Sequence, residues 1–182
     1  MTIWKEVAQC ADCTDFEPCA THEAEIVKSY METDKPEINT PEALIQAVIE
    51  WSKTSPDPDT KNASFLTYPD LQVAIETLSV NEFPQGVTET DERWQRPQKY
   101  LFVEHGERNA LYKANRVGIP TEGMTLVTTW SPCADCARAI VQCGIVRVIR
   151  QSPKDTPVHW KSSIEAGELI LTEAGVEVVT VA

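Results

Sequence analysis

The spacing of hydrophobic positions changes several times along the chain, and each change predicts a different element. Between residues 41 and 53 apolar side chains recur at helical spacing, after a Thr-Pro-Glu segment typical of a helix N-terminus. Apolar runs at 63–68 and 71–80 predict two strands joined by a Tyr-Pro-Asp turn. Residues 81–99 have no regular pattern and predict a long loop of the kind that is usually functional or disordered.

From residue 105 onward the pattern alternates between helical and strand spacing. The predicted elements are a helix over 105–117, a strand over 125–130, a helix over 132–143, a strand over 146–151, a helix over 160–175 and a strand over 176–181. Such alternation favours parallel pairing with right-handed crossovers. We therefore predict a three-layer α/β/α fold in which helices cover both faces of a five-stranded mixed sheet.

Composition narrows the class of partner. The chain has 182 residues, which suits one domain with a modest extension. Its 16 Lys and Arg against 28 Asp and Glu give a net charge of −12, which argues against stable binding of nucleic acid through phosphates. A small anionic substrate stays compatible, because a pocket needs only one or two cations.

The sequence predicts a cytoplasmic protein without membrane contact. Its first residues have neither the basic nor the apolar region of a signal peptide, and no run approaches the ~18 apolar residues of a membrane span. In a reducing compartment, cysteines are metal ligands or reactive groups more often than disulfides.

Residues 1–40 carry a first cluster of metal-ligand types. Cys10 and Cys13 form one pair at a spacing of three, and Cys19 and His22 form a second. A Cys3His set is typical of a closed structural zinc site, which could order a segment too short to bury its own core. The alternative is three unrelated thiols with a histidine nearby. We therefore predict residues 1–40 as a zinc-binding extension, with a short helix over 23–33, and residues 41–182 as the main domain.

A second cluster combines His105-Gly106-Glu107 with Pro132-Cys133-Ala134-Asp135-Cys136. One imidazole and two thiolates can hold a zinc ion while leaving its fourth position open, as catalytic zinc requires. Glu107 is close enough to exchange protons with a water at that position. This combination, H-x-E followed by P-C-x-x-C, is the pattern of zinc-dependent nucleobase deaminases.

Two further residue types near these motifs have simpler interpretations. A structural zinc with Cys143 as its fourth ligand is the alternative to a catalytic one, but we interpret Cys143 as a small core residue. His159, beside Trp160 at a predicted helix start, is interpreted as a packing or capping residue.

The segment from about 51 to 150 resembles the deoxycytidylate (dCMP) deaminase branch of the cytidine deaminase superfamily, beyond the zinc motifs alone. The matching stretches are Trp51-Ser52-Lys53 with Asp57-Pro58-Asp59-Thr60-Lys61 (R-S-K-D-P-x-T-x-V-G), Asn81 to Gly86 (Y-N-G-x-P-x-G), Lys99 to His105 (K-Y-x-x-V-x-H) and Cys143-Gly144-Ile145 (Q-A-G-I). Among the departures, Asn62-Ala63 stands where Val-Gly is usual. Gly106 replaces the usual alanine, which we expect to enlarge the room beside the metal.

The resemblance implies a cytidine-deaminase-like fold, a catalytic zinc and several site roles. Asn81 would contact the deoxyribose and base, and Ser52 and Lys53 would lie near the nucleotide phosphate. Charge alone adds Arg93, Arg96 and Lys99 as phosphate candidates. The resemblance also implies a homo-oligomer, with a hexamer as one form, and allosteric control by dCTP and dTTP.

The function predicted from the sequence is hydrolytic deamination of dCMP, or of a 5-substituted dCMP or the triphosphate, with release of ammonia. The first alternative is a polynucleotide cytidine deaminase, because Thr129-Trp130-Ser131-Pro132-Cys133 also resembles the S-W-S-P-C of that group. The acidic balance disfavours it. The second alternative is a catalytically silent zinc or nucleotide-binding protein, which would have no use for Glu107.

Overall fold

The computed structural model describes residues 40–151 and 157–181, and a five-stranded mixed sheet forms its centre. The strands are β1 (Ala63–Thr67), β2 (Val73–Val80), β3 (Thr125–Thr128), β4 (Arg147–Gln151) and β5 (Glu177–Val181). Their order across the sheet is β2-β1-β3-β4-β5. Strand β1 is antiparallel to both of its neighbours, whereas β3, β4 and β5 run parallel. The predicted mixed sheet is confirmed.

Helices cover both faces of this sheet, as predicted. They are α1 (Pro41–Ser52), α2 (Asp91–Trp94), α3 (Lys99–Phe102), α4 (Gly106–Val117), α5 (Ala134–Gln142) and α6 (Lys161–Glu173), with a 3-10 helix at Val158–Trp160. The helix Asp91–Trp94 lies within the segment 81–99 that was predicted as a long loop, and the helix Lys99–Phe102 begins at the last residue of that segment. Thr40 begins α1, where its hydroxyl accepts the Ala43 N–H at 3.2 Å.

Alternate residues of each strand supply two separate core layers, because successive strand side chains point to opposite faces. Leu66, Leu126 and Val148 pack with apolar residues of α4, α5 and α6. Their neighbours Val127 and Ile149 face the other way and pack with α1. Since β1 and β3 are buried on both faces, they show no alternation of apolar and charged residues in the sequence.

This topology brings several chain segments to one edge of the sheet. Strand β3 ends there and leads into α5, while the antiparallel strand β1 begins there. The end of β2 lies at the same edge, because Ala63 pairs with Val80. Open α/β sheets bind ligands at the carboxyl ends of their parallel strands, so this edge is the expected site.

Two predictions about the rest of the chain have a limited structural test. The cluster Cys10, Cys13, Cys19 and His22 and the helix over 23–33 lie outside the described residues, so the second zinc and the division at residue 40 stay predictions. Within the described ranges, no helix is long and apolar enough to cross a membrane.

Candidate active site

The two halves of the zinc motif lie at the beginnings of two neighbouring helices. His105 is the residue before α4, and Cys133 is the residue before α5. Cys136 follows one turn into α5 and is fully buried. A helix N-terminus carries partial positive charge, which stabilises a thiolate. Local sequence therefore positions each ligand, and helix packing brings the two halves together.

The three side chains lie at distances that suit one tetrahedral metal ion. Nδ1 of His105 lies 3.6 Å from Sγ of Cys133 and 3.5 Å from Sγ of Cys136, and the two sulfur atoms are 3.5 Å apart. Tetrahedral zinc with its usual bond lengths to sulfur and nitrogen requires ligand separations of roughly 3.5–3.8 Å. The donor set and its spacing fit zinc, with three protein ligands and one position left for substrate or water.

The two thiols of the site differ in acidity. A hydrogen bond from the Cys136 thiol, together with His105, lowers the pKa of Cys133 to about 4. The same bond and burial raise the pKa of Cys136. One thiolate and one thiol therefore share a proton at neutral pH, and metal binding would release that proton.

Glu107 lies in the first turn of α4, two residues after His105, and lines the same cavity as His105 and Cys133. Its side chain is buried, and burial raises the pKa of its carboxyl although the charge of His105 opposes the shift. Oε2 accepts a hydrogen bond of 2.8 Å from Nδ2 of Asn62. A buried carboxylate with a raised pKa is suited to accept and return a proton near neutral pH.

A cavity of about 560 Å³ opens onto these residues, a volume typical of a small-molecule site. His105, Glu107 and Cys133 line one side of it. Trp160 also lines the cavity and packs edge-on against the His105 ring, at 5.4 Å between ring centroids. His159 also lines the cavity and packs against Trp160, so it is part of the wall rather than a helix cap.

Among the residues that the resemblance assigned to substrate, Asn81 lies in the cavity wall. It is buried, and its side chain bonds to the Gly106 N–H and to Asp57. Ser52 and Lys53 do not line the cavity. The Ser52 hydroxyl donates to the carbonyl of Ile49 in its own helix, and Lys53 pairs with Glu50 on the surface. Their predicted phosphate role has no support in this geometry.

The three basic residues predicted as phosphate candidates also differ in whether they line the cavity. Arg96 and Lys99 line the cavity, whereas Arg93 stacks on Phe102 outside it. Lys99 is buried and bound to Asp57 at 2.6 Å and to Asp59 at 3.2 Å. Arg96 is half-exposed, and its contact with Asp59 is longer, at 3.4 Å. Arg96 is therefore the more available of the two cavity cations.

Two interpretations at the zinc motif are corrected or supported by position. Cys143 follows the last residue of α5 and lies about 15 Å from Cys133 at the rise of an α-helix, so it is not the fourth ligand. It packs at the edge of the core instead.

The missing Cβ of Gly106 would face the backbone of Ala63 and Ser64 at 3.4–3.5 Å. The expectation that this glycine enlarges the metal site is therefore wrong.

Three residues of the site were not singled out from the sequence. Asn62 bonds to Glu107, Asp57 bonds to Asn81 and Lys99, and Trp160 contacts His105. The signal for Asn62 was its position, since a polar residue directly before a buried strand lies at the strand end that forms the site.

The fold and site together define a zinc-binding deaminase domain. The family model for the cytidine and deoxycytidylate deaminase zinc-binding region matches residues 40–152. The chain belongs to this family. The predicted enzyme class, a hydrolytic deaminase acting on a C–N bond, is confirmed by that membership.

Individual relatives are similar over most of the chain. An uncharacterized deaminase in the luxG 3' region of Aliivibrio fischeri is 32% identical over 136 residues, which covers 74% of this chain and 86% of that protein. The human deoxycytidylate deaminase is 26% identical over 142 residues, covering 75% of this chain and 76% of the relative. The dCMP deaminase of cyanophage S-TIM5, crystallised with dCMP and dUMP, is 27% identical, with a TM-score of 0.63 over 82% of this chain and 100% of that chain.

Proposed function

We propose that the chain hydrolyses dCMP to dUMP and ammonia at the site formed by His105, Glu107, Cys133 and Cys136. The carrying observation is that one imidazole and two thiols with zinc-compatible spacing share a cavity with a buried carboxylate. Relatives named deoxycytidylate deaminase, and a similar structure crystallised with dCMP and dUMP, support the choice of nucleotide. The same amino-bearing ring carbon would react in a 5-substituted dCMP, which we include in the proposal.

His105, Cys133 and Cys136 would hold the zinc ion. Zinc supplies Lewis acidity that makes water nucleophilic near neutral pH. Glu107 takes a proton from the attacking water and delivers protons to the ring nitrogen and the departing amino group. The bond from ring carbon to amino nitrogen breaks, a carbon–oxygen bond replaces it, and ammonia leaves.

We assign the nucleotide phosphate to Arg96 in place of Ser52 and Lys53. Arg96 lines the cavity, is half-exposed and holds Asp59 at 3.4 Å, so a phosphate could compete for it. The Arg96→Ala variant is expected to raise KM for dCMP about 10-fold, the size of one lost charge-assisted hydrogen bond, with a smaller effect on deoxycytidine. Equal effects on both substrates would contradict the assignment.

A substrate panel tests the proposal against its alternatives. The panel consists of dCMP, 5-methyl-dCMP, dCTP, deoxycytidine and single-stranded DNA, followed by absorbance and product analysis. Preference for dCMP supports the proposal. Turnover of single-stranded DNA alone would favour the polynucleotide alternative, and zinc binding without turnover of any substrate would favour the silent one.

Zinc analysis and sedimentation extend the test to the remaining predictions. Two zinc ions per chain would support the Cys10, Cys13, Cys19 and His22 site, and one would remove it. A homo-oligomer and control by dCTP and dTTP are proposals that rest on family resemblance, whereas a cytoplasmic location is a proposal that rests on the amino-acid sequence. A shift in the dCMP saturation curve on addition of either triphosphate would support allosteric control.

A further inference from the structure

Three polar residues extend the ends of adjacent strands at the edge where the site lies. Asn62 precedes β1, Asn81 follows β2 and Thr129 follows β3. The Asn81 N–H donates to the Asn62 carbonyl at 3.3 Å, and the Thr129 N–H donates to the Ala63 carbonyl at 3.1 Å. The three side chains, which we call the polar row, are therefore held side by side by sheet register. All three are buried.

The orientation of Asn81 within the polar row is set by groups that cannot reverse their roles. An ionised carboxylate only accepts hydrogen bonds, and a backbone N–H only donates. Nδ2 of Asn81 lies 3.0 Å from Oδ2 of Asp57, and its Oδ1 accepts the Gly106 N–H at 3.0 Å. Asp57 is held in turn by Lys99 at 2.6 Å. The Asn81 oxygen therefore faces Asn62.

The orientation of Asn62 follows from its two neighbours in the row. The Thr129 hydroxyl accepts the Ala63 N–H at 3.1 Å, so its hydrogen is free to donate to Oδ1 of Asn62 at 2.7 Å. The Asn62 amide group then faces Oδ1 of Asn81 at 3.3 Å and Oε2 of Glu107 at 2.8 Å. Each polar atom of Asn62 has a partner, and its fixed hydrogen is directed at Glu107.

We propose that Asn62 is a positioning residue that holds the Glu107 carboxylate in its working orientation. This inference rests on the proposed deamination by Glu107. Asn62 donates to Oε2, so the second oxygen of the carboxylate, Oε1, is not engaged by Asn62. The polar row and the Asp57–Lys99 pair keep Asn62 from rotating, so they act on Glu107 through it.

The first test replaces Asn62 by a residue of similar shape without a donor. In zinc-loaded Asn62→Leu, kcat for dCMP is expected to fall about 10- to 100-fold, the range for losing a hydrogen bond to a charged group, with KM nearly unchanged. Zinc per chain should equal that of wild type. Ser64→Ala is the matched control, because it removes a buried hydrogen bond from Ser64 of β1 to Thr128 and removes none to Glu107.

A double-mutant cycle separates positioning from general loss of structure. In the Glu107→Gln background, Asn62→Leu should lower kcat little further, because the group that it positions has already lost its function. An Asn62→Leu effect of equal size in both backgrounds would overturn the inference. So would an Asn62→Leu enzyme that keeps the wild-type kcat.

An amide NMR spectrum tests the contact without relying on turnover. The side-chain amide signal of Asn62 is assigned by its loss in Asn62→Leu, and it should shift when Glu107 becomes Gln. An unshifted signal would overturn the inference even in an active enzyme. If no panel substrate is turned over but the signal shifts, the proposed function fails and the Asn62–Glu107 contact stands.

Discussion

The carboxylate of Asp57 is fully buried, and its charge is balanced by the Lys99 ammonium at 2.6 Å. Its oxygens also accept the backbone N–H groups of Asp59 and Thr60 and the Asn81 amide. Burying two charges is costly by itself, so such a pair is more informative about geometry than about net stability. Its structural consequence is that Asn81 has one orientation at the cavity wall.

Removing one partner of this pair should destabilise the protein strongly. Lys99→Met leaves the Asp57 charge buried and unpaired, which we expect to lower the free energy of unfolding by about 3–5 kcal/mol. Urea unfolding at neutral pH measures the change. Lys53→Met is the control, because Lys53 pairs with Glu50 on the surface and should change stability by less than about 1 kcal/mol. Equal effects of the two substitutions would contradict the buried-pair account.

The same carboxylate predicts a pH dependence of stability. Although burial opposes the shift, hydrogen bonds from Lys99, Asn81 and two backbone N–H groups lower the pKa of Asp57 below its usual value. A lowered folded-state pKa stabilises the fold at pH values above the unfolded pKa, and this stabilisation is lost as pH falls through the folded pKa. Asp57→Asn should therefore have a lower free energy of unfolding than wild type at neutral pH. As the pH falls below about 4, that free energy should decrease less in Asp57→Asn than in wild type. Parallel stability curves for the two proteins would contradict the assignment.

The candidate zinc ligands and Glu107 could be recognised from the sequence because their spacing is local. His105 and Glu107 are two residues apart, and Cys133 and Cys136 are one helical turn apart. Asn62 lies 45 residues before Glu107, so the contact depends on strand register that local spacing does not reveal. Ser52 and Lys53 were matched to a motif, but α1 continues through Ser52 and keeps both side chains on their own helix.

Helix α6 packs directly against the backbone of the segment that carries Cys133. Gly167 approaches the Pro132–Cys133 backbone so closely that an added Cβ would lie 2.4 Å from the Pro132 carbonyl oxygen. Ser163 of the same helix accepts the Ala134 N–H at 3.2 Å. The position of Cys133 therefore depends on how closely α6 packs against the start of α5.

A methyl group at this contact should disturb the metal site. Gly167→Ala is expected to lower the free energy of unfolding by about 1–3 kcal/mol through overpacking. Zinc bound per chain should fall as well, because the backbone of Cys133 must move. Thermal unfolding and metal analysis measure both effects, with Glu165→Ala on the exposed side of α6 as control. A fully stable, zinc-loaded Gly167→Ala protein would refute this role of α6.

Element types were predictable where the hydrophobic period extends over a whole helix or strand. Helix α4 and all five strands lie within a few residues of their predicted bounds. The short helices at Asp91–Trp94 and Lys99–Phe102 span about one turn each, which is too short for a helical period to be recognised in the sequence. The 3-10 helix Val158–Trp160 is too short to predict for the same reason, although it supplies an aromatic residue of the cavity wall.

For the molecule as a whole, the acidic balance and the cavity lead to the same class of substrate. With a net charge of −12, the chain lacks the cation excess that holds a polynucleotide. Among the described cavity residues, Arg96, Lys99 and Arg108 each contact a carboxylate. Such a cavity suits one small anion that competes for a single arginine better than a long phosphate backbone.

The central claim is that Glu107 transfers protons in hydrolytic deamination beside the His105, Cys133 and Cys136 site. The direct measurement is release of ammonia and dUMP from dCMP by wild type and by Glu107→Gln, each with its bound zinc quantified. We expect wild type to release ammonia and dUMP in equal amounts. At the same zinc content, the rate of release by Glu107→Gln should be at least ~10²-fold lower than that of wild type. Unchanged turnover in zinc-loaded Glu107→Gln would contradict the account.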